Sequence, residues 1–435
     1  MELLLENPRA GLDTPLEIDS LTTRFGAAWW ERFMAETGQL SAPQAFRACL
    51  DAGETARMRR CILDIIAELG STIRNAYGYR LWIEGEQVTD LDAHFAKAPR
   101  PGEDIEDWTR RAFGDQHFGI ILNRGEKFNM ELSRAMAYVL KPMMERAGMP
   151  TEGIIFTIFI GNYDMTPLGI HKDLPGKSVI HFHLGPGSKT MYVWDDDKYE
   201  TAPGEKRQNN KAVEPHLASA TRHTFHEGDL YFMPENRFHL GTQSGLSIGI
   251  ACWFNNRSNI HFAQRLVQLL RQNYLHDSGT MLRHDRRPVD DIGHLEQTLD
   301  QFDLSEVGEA SVKDTLRHIY KDFRYALFSN AGFRSSPFPN LAPAGIREDS
   351  RVRVTDPYRI LARETDAQGE MTLYMRGTKV AIRELGGVRA LVDALNAGRE
   401  LAMAEVLALL GAPWTFATAR YLLELMHKHR GIQIR

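Results

Sequence analysis

The stretch that decides how this chain folds is "TPLGIHKDLPGKSVIHFHLGPGSKTMYVWD", residues 166–195. It sets three histidines, His171, His181 and His183, among β-rich runs and turns built from glycine and proline. Successive side chains on a strand point to opposite faces, so His171 and Asp173 of "HKD" share a face and can chelate one ion. The same alternation puts Val179, His181 and His183 on one face, with Ile180, Phe182 and Leu184 on the other.

Further β-rich runs flank this stretch: "GIIFTIFI" (153–160), "DLYFMP" (229–234) and "LSIGIACWF" (246–254), separated by turn clusters such as "LGPGS", "PEN" and "TQSG". Short strands punctuated in this way predict a sandwich or jelly roll. Residues 1–150 read mainly as helix with short extended pieces. Apolar residues recur at three and four positions in "AAWWERFMAET" (27–37), "ETARMRRCILDIIAELGSTIRNAY" (54–77) and "NMELSRAMAYVLKPMMERAG" (129–148). Residues 196–222 are polar and aperiodic, and predict a long loop inserted between strands.

Helical periodicity returns in "NIHFAQRLVQLLRQNYLH" (259–276) and "SVKDTLRHIYKDFRYALFSN" (311–330), and "RSSPFPNLAPAG" (334–345) reads as a linker. Beyond it, "DPYRILARETDAQGEMTLYMRGTKVAI" (356–382) predicts a hairpin around "DAQGE". Three helical segments and a terminal "GIQIR" strand follow, in the outline of a winged helix. The expected class is therefore α+β: a mainly helical 1–150, a double-stranded β-helix (jelly roll) over 151–257, a helical region 258–345, and a winged-helix-like domain 346–435.

Composition bounds the function. The 435 residues are 43% hydrophobic and 25% charged with a net charge of −5, the balance of a globular protein with no global basic field for nucleic acid. Three cysteines without CxxC spacing predict neither a disulfide framework nor a cysteine metal site, and fit a cytoplasmic location. The N-terminus lacks the pattern of a secretory leader, and no apolar run is as long as a membrane span.

Two histidines and a carboxylate with open positions are the ligand set of non-haem Fe(II) oxygenases. The third ligand is expected at His239 of "GDLYFMPENRFHLG", where a strand, a proline turn and a second strand bring the chain back to the same end of the roll. A second H-x-E, His294 and Glu296, lies in helix-like sequence and reads as surface decoration. An HxH pair such as His181 and His183 is half of a cupin-type metal site, but that site also needs a glutamate a few residues later. None follows, so the two read as core or rim residues, or as contacts to substrate or cosubstrate.

These elements, "TPLGIHKD", "SVIHFHLGPGSKTMYVW" read as a hairpin, and "EGDLYFMPENRFHLGTQSGLSIGIACWF", resemble the JmjC and cupin-like branch of the Fe(II)/2-oxoglutarate-dependent oxygenases. The resemblance covers roughly 150–256 and implies Fe(II) and 2-oxoglutarate as cofactors. It implies that Lys189 holds the distal carboxylate of 2-oxoglutarate, since no basic residue follows His239 in "LGTQSGLSIGIACWF". The branch often carries a hydroxyl residue three positions before the first ligand, where this chain has Leu168. Thr166 lies five before, as if two residues were inserted, and either Thr166 or Tyr163 is a candidate for that hydroxyl.

The order of domains is similar to that of ribosomal oxygenases of the JmjC type, in which a helical dimerisation region and a winged helix follow the roll. This implies a homodimer and hydroxylation of a protein or peptide side chain. The alternatives carried forward are a free small-molecule substrate and a non-catalytic metal-binding scaffold. The last helix bears few cations, so nucleic acid is not an expected partner.

Overall fold

A computed structural model describes residues 15–70, 78–195, 199, 208–276, 288, 291, 296–304, 311–364, 369–383 and 386–435. His294 and part of the predicted loop, 196–198 and 200–207, lie outside the described residues; Glu296 opens a short helix, Glu296–Leu299. The chain divides into two compact units, 1–256 with 332–339, and 257–331 with 340–435. No described helix is long and apolar enough to cross a membrane.

The first unit is a mixed α/β structure around a large antiparallel sheet, consistent with a jelly roll. Its strands are β1 (Gln44–Phe46), β2 (Tyr79–Ile83), β3 (Glu86–Val88), β4 (Phe118–Asn123), β5 (Ile154–Gly161), β6 (His171–Lys172), β7 (Lys177–Trp194), β8 (Thr221–Phe225), β9 (Leu230–Met233) and β10 (Phe238–Asn255). The order is β1-β9-β7-β10-β5-β4-β2-β3, with β6 also on β10 and β8 also on β7. β1 to β4 come from the part that reads mainly as helix, so residues before 150 widen the same sheet.

The two longest strands correct the expected hairpin. "HFHLGPGSKTMY" does not turn back on itself: β7 runs through it, paired with β10 from Lys177↔Asn255 to Trp194↔Phe238. The turn residues serve as a bend. Register shifts between Ser244 and Ser247 and between Ile248 and Gly249 mark where both strands bend together. A side chain at Gly187 would place its Cβ 2.2 Å from the Ser244 carbonyl oxygen, so only glycine lets the strands approach this closely. His183 closes the bend by donating from Nε2 to the Gly187 carbonyl at 2.8 Å.

Helices cover the outer side. Helix Ala52–Glu68 begins at a capping box in which the Asp51 side chain accepts from Glu54 N and the Glu54 side chain accepts from Asp51 N, each at 2.9 Å. Asn129 caps helix Met130–Ala147, and the buried Trp30 donates to the Val139 carbonyl of that helix at 3.0 Å. Asp229, in the turn before β9, accepts from Ala48 N, His226 N and Arg47, tying the N-terminal segment to the sheet.

In the second unit, β11 (Arg351–Val354) lies between β15 (Leu401–Ala402) and the terminal β16 (Ile432–Ile434). β12 (Leu361–Glu364), β13 (Glu370–Met375) and β14 (Thr378–Arg383) form a second ribbon; the tip of its first hairpin, 365–368, is outside the described residues. Helices Val388–Asn396, Met403–Leu410 and Phe416–Lys428 bury Leu391, Leu395, Val406, Leu423 and Met426 in one apolar core with Val352 and Leu373.

Gly187→Ala should lower stability by about 2 kcal/mol or more, because its methyl group meets backbone rather than a side chain that can move. A urea titration with an unchanged slope and a lowered midpoint is the expected result; an unchanged midpoint would mean that the bend does not need its glycine.

Candidate functional site

Bending β7 and β10 together gives the sheet one concave face, and that face encloses a cavity of roughly 400 Å³. Strand alternation decides which residues reach it. Val179 and His181 before the bend and Lys189 and Met191 after it all line the cavity, as do His239, Gly241, Ala251 and Trp253 of β10.

His171 and His239 sit directly opposite each other on β6 and β10, with ring centroids 4.3 Å apart. The His239 Nε2 lies 3.8 Å from Asp173 Oδ2. Each ring is held by a carbonyl two residues upstream: His171 Nδ1 to Gly169 O at 2.9 Å and His239 Nδ1 to Arg237 O at 3.0 Å. A carbonyl only accepts, so each Nδ1 carries the proton and each Nε2 presents its lone pair. Burial, then the neighbouring His171, pushes the His239 imidazole down to about 4, so it is neutral at physiological pH, the state in which imidazole binds a metal.

Asp173 Oδ2 is buried without a hydrogen-bond partner. An orphaned carboxylate oxygen beside two lone pairs fits a divalent cation of the kind bound by mixed imidazole and carboxylate ligands. The set stands open. Among the described residues no three His, Cys, Asp or Glu side chains close tightly enough to hold an ion as they stand, so binding requires these side chains to draw in.

β6 is two residues long, and its position depends on a clamp. Ile170 N donates to Asn210 O at 2.8 Å and Asn210 N to Ile170 O at 3.0 Å; the Gln208 amide bonds both N and O of Lys172, at 3.0 and 2.9 Å. Gly169 has φ of +68°, and a Cβ there would lie 2.1 Å from the Asn210 oxygen. The register also explains Leu168. Ten residue steps from Gly161 to His171 face eight from Ser247 to His239, so the first side carries two extra residues. Met165 still pairs with Thr242, which places the excess between Met165 and His171. Leu168 is pushed outward, 49% exposed, while Thr166 stays on the cavity wall with its N–H on the Gly241 carbonyl at 2.9 Å.

At the cavity floor Lys189 is 9% exposed. Its ammonium lies 5.3 Å from the Phe159 ring centroid and takes no carboxylate partner among the described residues. Burial pushes it down to about 8. Two further polar atoms face the same space unpartnered, His181 Nε2 and Tyr231 Oη. Burial holds the His181 imidazole well below its ordinary range and the Tyr231 phenol well above its own. Gly249 makes room for His181, since a Cβ there would lie 2.3 Å from Nε2.

His183 does not line the cavity; its ring serves the bend. Tyr163 does, with its ring over a shelf formed by the paired Gly119 and Gly161, where added Cβ atoms would come within 3.0 and 2.9 Å of it. Burial raises the Tyr163 phenol to about 12. Thr166 and Tyr163 are thus both at hand. Sequence reading missed Tyr231, although its alternation with Met233 in "LYFM" is a signal that could have found it. It also missed Arg80, Trp82 and Trp253 on the cavity wall.

The chain matches no known family model and no curated protein by sequence. Among solved structures it is similar to YcfD, a ribosomal oxygenase from Escherichia coli, at 13% identity over 93% of this chain and 98% of that one, with a TM-score of 0.45. The same protein in complex with cobalt and 2-oxoglutarate gives 13% identity over the same shares and a TM-score of 0.45. An oxalate decarboxylase structure matches 24% of this chain and 23% of that one, at 13% identity and a TM-score of 0.17. At these identities and TM-scores the functional reading rests on the residues of the site itself.

Proposed function

We propose that this protein is an Fe(II)- and 2-oxoglutarate-dependent oxygenase whose reaction is carried out in the first unit. The observation that carries this reading is the Lys189 ammonium, buried without a carboxylate partner among the described residues, in the same cavity as His171, Asp173 and His239. A cation left in this state calls for an anionic ligand, and the trio calls for a divalent metal.

His171, Asp173 and His239 would hold the iron. When bound with 2-oxoglutarate and supplied with dioxygen, Fe(II) brings oxidative decarboxylation to succinate and carbon dioxide, coupled to hydroxylation of a substrate C–H. The chain's own residues position and shield that chemistry. Lys189 receives the distal carboxylate through a charge-assisted hydrogen bond, and the Tyr231 hydroxyl and the His181 Nε2 offer two further contacts at the same floor. Val179, Met191, Phe225 and Ala251 surround them with apolar surface, which excludes water and strengthens each of these bonds. Tyr163 or Thr166 supplies a hydroxyl at the wall.

A jelly-roll core over 151–257, a helical dimerisation region over 258–345 and a winged-helix-like domain over 346–435 complete the proposed organisation. The last of these draws support from three helices packed with short ribbons. Helix Phe416–Lys428 carries Arg420 and Lys428 as its cations, so a protein or peptide substrate fits better than nucleic acid. A second reading, a metal-binding roll without catalysis, is favoured by the open state of the ligand set.

Succinate formation from 2-oxoglutarate under Fe(II) and air separates the two readings. His171→Ala should abolish it and lower iron affinity by at least about 10-fold, measured as iron retained per chain; retained turnover would remove His171 from the ligand set. Lys189→Ala should raise the KM for 2-oxoglutarate by roughly 10- to 100-fold, and an unchanged KM would dissociate Lys189 from the cosubstrate.

Affinity for 2-oxoglutarate should also depend on pH in one direction. Lys189 is charged below about 8 in the ligand-free protein and loses its proton above that, so affinity should be level below pH 8 and fall by up to about tenfold per unit above it. Titration calorimetry at several pH values reads this directly; flat affinity through pH 9 would contradict it.

A further inference from the structure

The cavity has a charge that its inner end does not use. Among its lining residues Asp173 is the single acid, against the cations Arg80, Lys177 and Lys189. On the oxygenase reading, the two positive charges of Fe(II) and that of Lys189 balance the two negative charges of 2-oxoglutarate and that of Asp173. The loaded inner site is then neutral, and the positive charge of the outer wall is left over.

Arg80 carries this argument. It takes no carboxylate among the described residues; its guanidinium instead lies 5.4 Å from the Trp82 ring centroid. An aromatic face orients a guanidinium without cancelling its charge, so the fork stays available to an incoming acid. Register fixes where it stands. Arg80 pairs with Ile121 and Ile121 with Phe159, the residue whose ring faces Lys189. Two strand spacings separate Arg80 from Phe159, about 10 Å along the sheet, with Ile121 between them on the same face. Trp82 and Trp253 border this surface and add apolar area.

We infer that the substrate brings a carboxylate to Arg80 at the cavity mouth and lays an apolar body across Ile121 and Phe159 toward the reacting centre. This rests on the oxygenase reading for the location of that centre. The carboxylate comes either from an acidic side chain of a peptide or from a free carboxylic acid. A substrate presenting arginine or lysine at this point meets a like charge and is selected against.

The test uses the full chain and two probe sets: acetylated, amidated heptapeptide libraries with Glu, Gln or Arg fixed at the centre, and 3-phenylpropionate against its amide. Binding is read by tryptophan fluorescence without dioxygen, and turnover by succinate release. The expected result is about 5- to 10-fold tighter binding of the Glu library over the Gln library, or of the free acid over its amide. The set that shows the difference names the source. Arg80→Gln should erase the discrimination, and Arg80→Glu should turn the preference toward the Arg library. Equal binding of acid and amide, preference for the Arg library by the unaltered protein, or failure of both acids to bind would overturn the inference. Absence of 2-oxoglutarate consumption under every condition would overturn the oxygenase reading instead, while the fluorescence comparison still decides whether Arg80 selects a carboxylate.

Discussion

The pairing of β7 with β10 through a shared bend is the constraint on which the rest of the first unit depends. Two strands of eighteen residues would ordinarily form a flat or gently twisted ladder. Here Gly185 and Gly187 on one strand and Gly245 on the other remove the side chains that would keep them straight. Each strand therefore serves both walls of the cavity. His181 and Lys189 come from one strand on either side of the bend, as Trp253 and His239 do from the other, and the ladder fixes their spacing. A one-residue slip would send all four to the opposite face.

The cavity gathers buried polar groups that lack partners. Lowering the Lys189 ammonium from 10.5 to about 8 corresponds to roughly 3 kcal/mol against its charged form. That cost to stability is present in full below about pH 8 and fades as pH rises toward the unfolded-state value. His181 Nε2, Tyr231 Oη and Asp173 Oδ2 add unmade hydrogen bonds around the same space. Two buried carboxylates away from the cavity are tied down: Asp229 receives two backbone N–H groups and Arg47, and Glu152 is held by Arg334. Four unsatisfied groups converging on one cavity, one of them a buried ammonium, mark a place where a ligand would complete the structure.

Much of this was legible in the sequence, and what was not had a physical reason. Alternation predicted that Val179, His181 and His183 share the inner face, of which Val179 and His181 line the cavity, and the absence of a following glutamate argued against a cupin-type site at the two histidines. The structure then divides the pair further: His181 faces the cavity and His183 holds the bend. "GPG" was misread as a turn because glycine and proline signal a break in a strand without saying whether the chain reverses or bends. That choice is made by the partner strand, whose bend at Gly245 is 60 positions away in the sequence. β2 and β4 were passed over because "YRLWI" and "FGIILN" are too short to carry a decisive period beside the long helical patterns.

The least regular part of the site is the segment that carries the first proposed ligand. β5 and β6 lie along the same side of β10, and an uninterrupted strand would have bonded throughout. The extra residues between Met165 and His171 forbid that, so the chain leaves the ladder and returns to it for two residues only. A strand this short cannot hold its register alone. Asn210 and Gln208 provide the missing partners from within the segment 196–222, and Gly169 lets them approach. The placement of His171 is thereby shared between the sheet and residues 208–210. Any shift of residues 208–210 is transmitted to His171 through backbone bonds on both sides of it, whereas His239 and Lys189 are fixed by the long ladder. The open ligand set follows from this division: one side of it is anchored by the core, and the other by a clamp that can adjust as the side chains draw in.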